Sequence, residues 1–501
     1  MKAFLKTSVS LIAAAILLCG FPASGSAQSP VAAAKASGPV ASDKDNFAFL
    51  SANRVQVVVD LQKAGYVEQE FIVSGAANVY DWLADGSVKV KTANAPYTTR
   101  ILIRRPATAA KFSGNVIIEP FENTRSFDWA FMWPASYEYF TEHGDAWVGV
   151  THTPDGIAAL KKFNPTRYAS LSMANPTPNE ACGPTNAKSD VEAGLHFDIL
   201  SQVAAALKSP TGPMTGFRVE KVYGTSHTGE LVTYANAIQP ISKVFDGFLF
   251  ESSAGVSAIS RCSANPGAND PRRITKNAGA PVIRMVPEGD VPAAFALRRA
   301  DSDEANDRFR WYEVAAAPRM DNRYYQHMPV TEDQTKAGET AFHGNWPFAY
   351  SCESPVTGIT DLPVFQVSLN AAFYNLDQWS RRGAAPPRAE RMTLKDAGTP
   401  QAAVAVDQYG NGTGGIRSPH VDVPAATYYT HAPGQATCRN IGYKVPFDFS
   451  RMETLYGSSK NYAAKVNQEI DQLVKGKWLL ESDAKRLRNE LIPPAKPGSN
   501  N

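Results

Sequence analysis

The stretch Gly224-Thr225-Ser226-His227-Thr228-Gly229 constrains the fold of this chain more than any other. A short apolar run at 219–223, interrupted by Glu220 and Lys221, precedes it, and a helix-like segment at 230–238 follows. A strand, a tight turn with serine at its tip and then a helix is the layout of a nucleophile elbow. Such a turn strains the serine backbone and needs small flanking residues. It also aims the N-terminus of the following helix at a reacting oxygen. The usual spacing is G-x-S-x-G. Here Thr228 holds the second glycine position and Gly229 comes one place late. An ordinary Gly/Ser turn between a strand and a helix is the alternative.

Elsewhere, apolar runs at 66–79, 98–104, 115–118, 146–151, 221–224, 244–249, 281–286 and 310–315 read as strands. Residues 196–207 carry apolar side chains at helical spacing, and 455–491 resembles two charged amphipathic helices around Gly476. Strands alternating with helices predict an α/β class with a mostly parallel, doubly wound sheet. A Pro- and Asn-rich insertion near 155–192 is expected over one end of it, and a loop-rich C-terminal extension at 329–495 is expected to pack on a core at 46–328.

The first residues read as an export signal. Lys2 and Lys6 precede an apolar stretch at 9–18 that is too short to span a bilayer, and Gly25-Ser26-Ala27 supplies small residues for cleavage. A mature start near Gln28, a flexible tether at 28–45 and a secreted or periplasmic location are expected. Four cysteines then remain, Cys182, Cys262, Cys352 and Cys438. An even number in an exported chain favours disulfides of undetermined pairing. Their spacing lacks the short C-x-x-C of zinc sites. A net charge of +2 in 501 residues gives no reason to expect nucleic acid or an anionic membrane as partner, and no later stretch is long enough to span a membrane.

A serine hydroxyl becomes a nucleophile when a base takes its proton and an acid orients that base. In the order Ser, acid, His, the acid follows a late strand. Residues 281–290 fit, with Asp290 preferred and Glu288 as alternative. One oxyanion donor is expected from the backbone N–H of His227. The other is expected from Phe121 or Glu122, after the strand at 115–118. As a base, His227 is set aside as too close in sequence to turn back onto its neighbour. His143, His152 and His196 read as structural. His327, His343, His420 and His431 lie downstream of Asp290, as the order requires. Trp129, Phe131, Trp133 and Trp346 are candidate walls of an apolar pocket, or simply core.

Several segments together resemble the large bacterial α/β-hydrolase-domain proteins, over about residues 65–483. They are GYVEQEF at 65–71, SGAANVY at 74–80, YGTSHTG at 223–229, EGDV at 288–291, FRWYEV at 309–314, GGIRSPHVDVP at 414–424 and VPF at 445–447. The elbow of that family looks like G-x-S-Q-[ST]-G, which accommodates the late Gly229. The resemblance implies an α/β-hydrolase fold and a serine hydrolase acting on a small-molecule ester or lactone, with no metal or organic cofactor. It also exposes a departure. The family's W-E-V-x-G-[ST]-[AP]-H-x-D is matched here by WYEVAAAPRMD at 311–321, so Arg319 stands where the histidine base is expected. Arginine, with a pKa above about 12, cannot act as a base near neutral pH. Either a neighbouring histidine, His327 first and His420 as rival, serves instead, or the chain is a degenerate hydrolase that binds ligand without efficient turnover.

Overall fold

A computed structural model describes residues 31–492 except 123–124, 184, 252–254, 340–363 and 435. The expected export signal, Cys352, His343 and Trp346 therefore lie outside the described residues.

Ten strands form one sheet: β1 (Lys35–Ser37), β2 (Tyr66–Trp82), β3 (Val88–Pro106), β4 (Asn115–Pro120), β5 (Ala146–Val150), β6 (Lys221–Ser226), β7 (Gly247–Glu251), β8 (Val282–Pro287), β9 (Ser302–Glu304) and β10 (Asp307–Val314). Their order is β1-β2-β3-β5-β4-β6-β7-β8-β10-β9. From β5 through β10 the central strands pair in parallel, while β1, β2, β3 and β9 pair antiparallel at the two sides. The central strands β4, β5, β7 and β8 are buried at every position, as expected of a parallel sheet covered by helices on both faces. This is the doubly wound architecture expected from the alternation of strands and helices.

Helices from distant parts of the chain cover the sheet. The Val364–Arg382 helix packs against β7, β8 and the Met132–His143 helix. The His196–Lys208 helix packs on β2, and its Ser201 hydroxyl meets that of Tyr234 in the helix after the elbow at 2.7 Å. The C-terminal region thus contributes a helix to the sheet's own packing. A smaller apolar cluster of Val367, Val423, Val466, Ile470, Leu479, Ala484 and Leu487 fastens the last helices onto it.

The expected tether at 28–45 is different in its described part. Lys35–Ser37 pairs with Ser74, Val73 and Ile72 as an edge strand, and the Ala34 N–H donates to the Gln202 carbonyl at 3.0 Å. The long β2 would otherwise present open backbone groups at its edge, and this short strand covers part of them. Beyond it, Arg100 is fully buried between Glu70 and Asp128 at 3.0 and 2.8 Å and donates to the Phe49 carbonyl. Two carboxylates and a carbonyl give the buried guanidinium the partners it requires.

The Cys182–Cys262 disulfide ties the insertion to the chain that follows β7, and Cys438 is also disulfide-bonded. Among the described residues no helix is long and apolar enough to cross a membrane.

Candidate active site

The parallel strands deliver the chemistry-bearing residues to one edge of the sheet. Ser226 is the last residue of β6, Glu251 of β7, the Glu288–Asp290 turn follows β8, and Arg319 lies five residues beyond β10. These are C-terminal strand ends, where open α/β sheets place their sites.

Ser226 is 1% exposed, and its hydroxyl donates to the Thr228 carbonyl at 3.0 Å. The strained serine backbone expected of the elbow is not found. Ser226 pairs with Phe250 in the parallel ladder, and its φ is not positive. The turn falls one step later, over His227 to Gly229. Gly229 serves close approach and not an unusual backbone angle. Its φ is −77°, but a Cβ there would lie 2.8 Å from the Gly255 carbonyl oxygen. The late glycine sits where the elbow touches the backbone after β7.

His227 is buried and firmly held. Its ring stacks on Phe131, with centroids 4.1 Å apart and planes within 10°, and its Nδ1 pairs with Glu251 Oε2. Its Nε2 lies 3.4 Å from Arg319 Nη2. Arginine can only donate, so Nε2 carries the lone pair and Nδ1 carries the proton toward Glu251. Burial works to lower the pKa of His227, but the charge and hydrogen bond of Glu251 outweigh it and hold the imidazole above its ordinary value.

Arg319 reaches in the other direction to Asp290, with Nη1 at 3.3 and 3.4 Å from the two carboxylate oxygens. Two contacts hold the turns after β8 and β10 together. Glu288 Oε2 accepts the Ala316 N–H at 2.7 Å, and the Gly289 N–H donates to the Ala317 carbonyl at 3.1 Å. Ala316 has a left-handed backbone with φ of 61°, a conformation costly for a residue with a Cβ, and the Glu288 carboxylate holds it there. Glu288 is thus engaged in the scaffold, and burial pushes its carboxyl up to about 7. Asp290 is the acid that faces Arg319.

Of the histidines downstream of Asp290 that are described, His327 and His420 have surroundings of their own, whereas His431 stands beside the Glu288–Asp290 turn. His327 lies among Leu50, Ala52, Val55, Arg104 and Trp133, 5.2 Å from the Tyr137 ring. Burial and the cations Arg323 and Arg104 push it down to about 3, which makes it a poor proton acceptor. His420 bonds Glu490 at 3.0 Å in the C-terminal region. His431 is exposed, its Nδ1 bonds the Arg439 carbonyl, and its Cε1 lies 3.5 Å from where a Cβ on Gly289 would stand. The Phe121 N–H donates to the Val150 carbonyl at 3.0 Å and the Glu122 N–H to that of Trp129 at 2.8 Å. Neither amide is free to hold an oxyanion, because Phe121 continues the pairing of β4 with β5 and Glu122 forms a bridge with Trp129. Trp129 and Trp133 are core, whereas Phe131 forms the wall against His227.

Glu251 was not singled out by sequence. The available signal was an acid ending a core strand, Phe248-Leu249-Phe250-Glu251, the same signal that marked Glu288.

The model of the alpha/beta hydrolase domain matches residues 30–489. Among solved structures, the chain is similar to a putative dienelactone hydrolase from Klebsiella pneumoniae, at 14% identity over 53% of this chain and 95% of that one, with a TM-score of 0.24. It is also similar to a fungal esterase from Rhizomucor miehei, at 12% identity over 50% and 74% of the two chains, with a TM-score of 0.27. A siderophore hydrolase from Aspergillus nidulans matches at 10% identity over 48% and 74%, with a TM-score of 0.25. Likeness this low carries no argument about chemistry, and no curated protein matches. The family match spans most of the chain and its sheet order agrees with it: this chain belongs to the alpha/beta hydrolase domain family.

Proposed function

We propose that the chain is a serine-type hydrolase of a small carboxylic ester or lactone, working through an acyl-enzyme on Ser226. One observation carries this reading. The Arg319 side chain touches both Asp290, after β8, and His227, beside Ser226, so the nucleophile turn and the acidic turn lie within one side chain of each other. Ser226 attacks the carbonyl carbon, the His227 N–H stabilises the oxyanion, and water releases the acyl group. The chemistry calls for no metal or organic cofactor. Export to the periplasm or beyond is part of the same reading, supported by the Cys182–Cys262 disulfide, since disulfides persist in oxidising compartments.

Ser226→Ala is expected to lower kcat for p-nitrophenyl acetate at least 10³-fold with the fold unchanged. Full activity in that variant would overturn the proposal. The second reading, a hydrolase fold that binds without turnover, is favoured by Arg319 holding the place between acid and nucleophile. It requires the wild-type protein to bind ligands yet show no turnover of esters.

A further inference from the structure

We propose that His227, oriented by Glu251, is the general base of this hydrolase, replacing a histidine downstream of Asp290; this rests on the Ser226 reading above. Three observations carry it. The proton on Nδ1 points to Glu251, and the lone pair on Nε2 faces Arg319 Nη2, which is the tautomer an acid-supported base requires. The ring is fixed in a slot by its stacking on Phe131. Glu251 is 1% exposed and ends the strand beside Ser226, and its second oxygen, Oε1, has no hydrogen-bond partner among the described residues. The buried Tyr324 hydroxyl likewise has no partner among the described residues, and its ring lies 4.9 Å from Phe131.

Ser226 and His227 are consecutive, so their side chains diverge, and the Ser226 hydroxyl now faces the Thr228 carbonyl. The proton therefore travels through one water, a reach open to a general base. As Oγ bonds to the acyl carbon, its proton passes by that water to Nε2 and the carbonyl electron pair moves to oxygen. Collapse breaks the ester C–O bond, and the leaving alkoxide takes the proton from the imidazolium. A second water then attacks the acyl-enzyme, again giving its proton to Nε2. The acyl–Oγ bond breaks, and Ser226 recovers the proton. Arg319 Nη2 lies 3.4 Å from Nε2 and its side chain is 32% exposed, so the relay requires that side chain to leave the imidazole for the bridging water. The charged groups facing the ring are Glu251, Arg319 and Glu122, with Asp290 beyond Arg319.

The test compares p-nitrophenyl acetate hydrolysis by wild type, Ser226→Ala, His227→Gln, Glu251→Gln and His431→Gln across pH, with melting curves for each. The expected result is a 10²- to 10⁴-fold fall in kcat/KM for H227Q. For E251Q, the acid limb of kcat/KM should move to lower pH, a shift that a purely structural role would not produce. If S226A is inactive while H227Q stays within threefold of wild type, or H431Q carries the loss, this proposal fails and the hydrolase reading stands. If H227Q does not fold, an unmoved limb in E251Q overturns the proposal. Absence of turnover in wild type overturns both.

Discussion

Arg319 changes what its neighbours can do. A cation between Asp290 and His227 engages the acid and opposes protonation of the imidazole, while Glu251 favours it. Nearby Glu288 shows a different consequence of burial. Its carboxyl is pushed up from 4.5 to about 7 by desolvation, so the neutral form fits the fold best. Its contribution to stability is full below the unfolded value and is lost as pH rises through the folded one. The loss is on the order of 3 kcal/mol. Wild-type stability is therefore expected to fall between about pH 5 and 8 by more than that of Glu288→Gln, as measured by urea denaturation at both pH values. Equal changes in the two proteins would contradict the assignment. Individual residues were unevenly legible in the sequence. Ser226 is marked by its elbow-like turn, and Asp290 by the core strand it follows. Glu251 does so too, but a lone acid ending a strand equally suits a solvated cap. As a base, His227 is hidden by its adjacency to Ser226, which rules out a direct contact but says nothing about a relay or a buried acid partner.

At the scale of elements, Glu119 sets the wall of the site. It is the penultimate residue of β4 and accepts the N–H groups of Phe131, Met132 and Trp133 at 2.6, 2.8 and 3.0 Å, as well as the Trp147 indole N–H at 2.7 Å. A carboxylate at a helix N-terminus satisfies donors the helix itself cannot. It also fixes Phe131, on which His227 stacks. Glu119→Ala would leave four buried donors unpaired, and is expected to cost about 3 kcal/mol or more. It should also weaken turnover through the loosened Phe131. Chemical denaturation checks the first expectation, and a change below about 1 kcal/mol would refute it. Strands were the most legible elements, since buried parallel strands read as short apolar runs. The first half of β3, with its polar Lys89 to Asn94, carried no such pattern, because that end is largely exposed and paired only with β2. The edge strand β1 was hidden for the same reason: exposed at every position, it is held by backbone bonds alone.

For the whole molecule, the C-terminal region belongs to the packing of the sheet, and the insertion is fastened to the chain that follows β7. The Cys182–Cys262 bridge closes a loop of 80 residues, and Arg261 beside it donates to the carbonyls of Ala187 and Glu180. By loop-closure entropy, a bridge of that span stabilises by about 4.5 kcal/mol. Replacing both cysteines by serine is expected to lower the melting temperature by several degrees. An unchanged melting temperature would contradict that role. Pairing of distant cysteines and the approach of Arg319 to His227 were beyond the sequence, because both depend on how long loops return to the sheet edge.

The central claim is that Ser226 is a working nucleophile. Incubation of the folded protein with a fluorophosphonate, followed by peptide mass spectrometry, tests it most directly. The expected result is one adduct per chain, on the peptide that contains Ser226 and absent from Ser226→Ala. An intact, folded protein that carries no adduct there would contradict the claim.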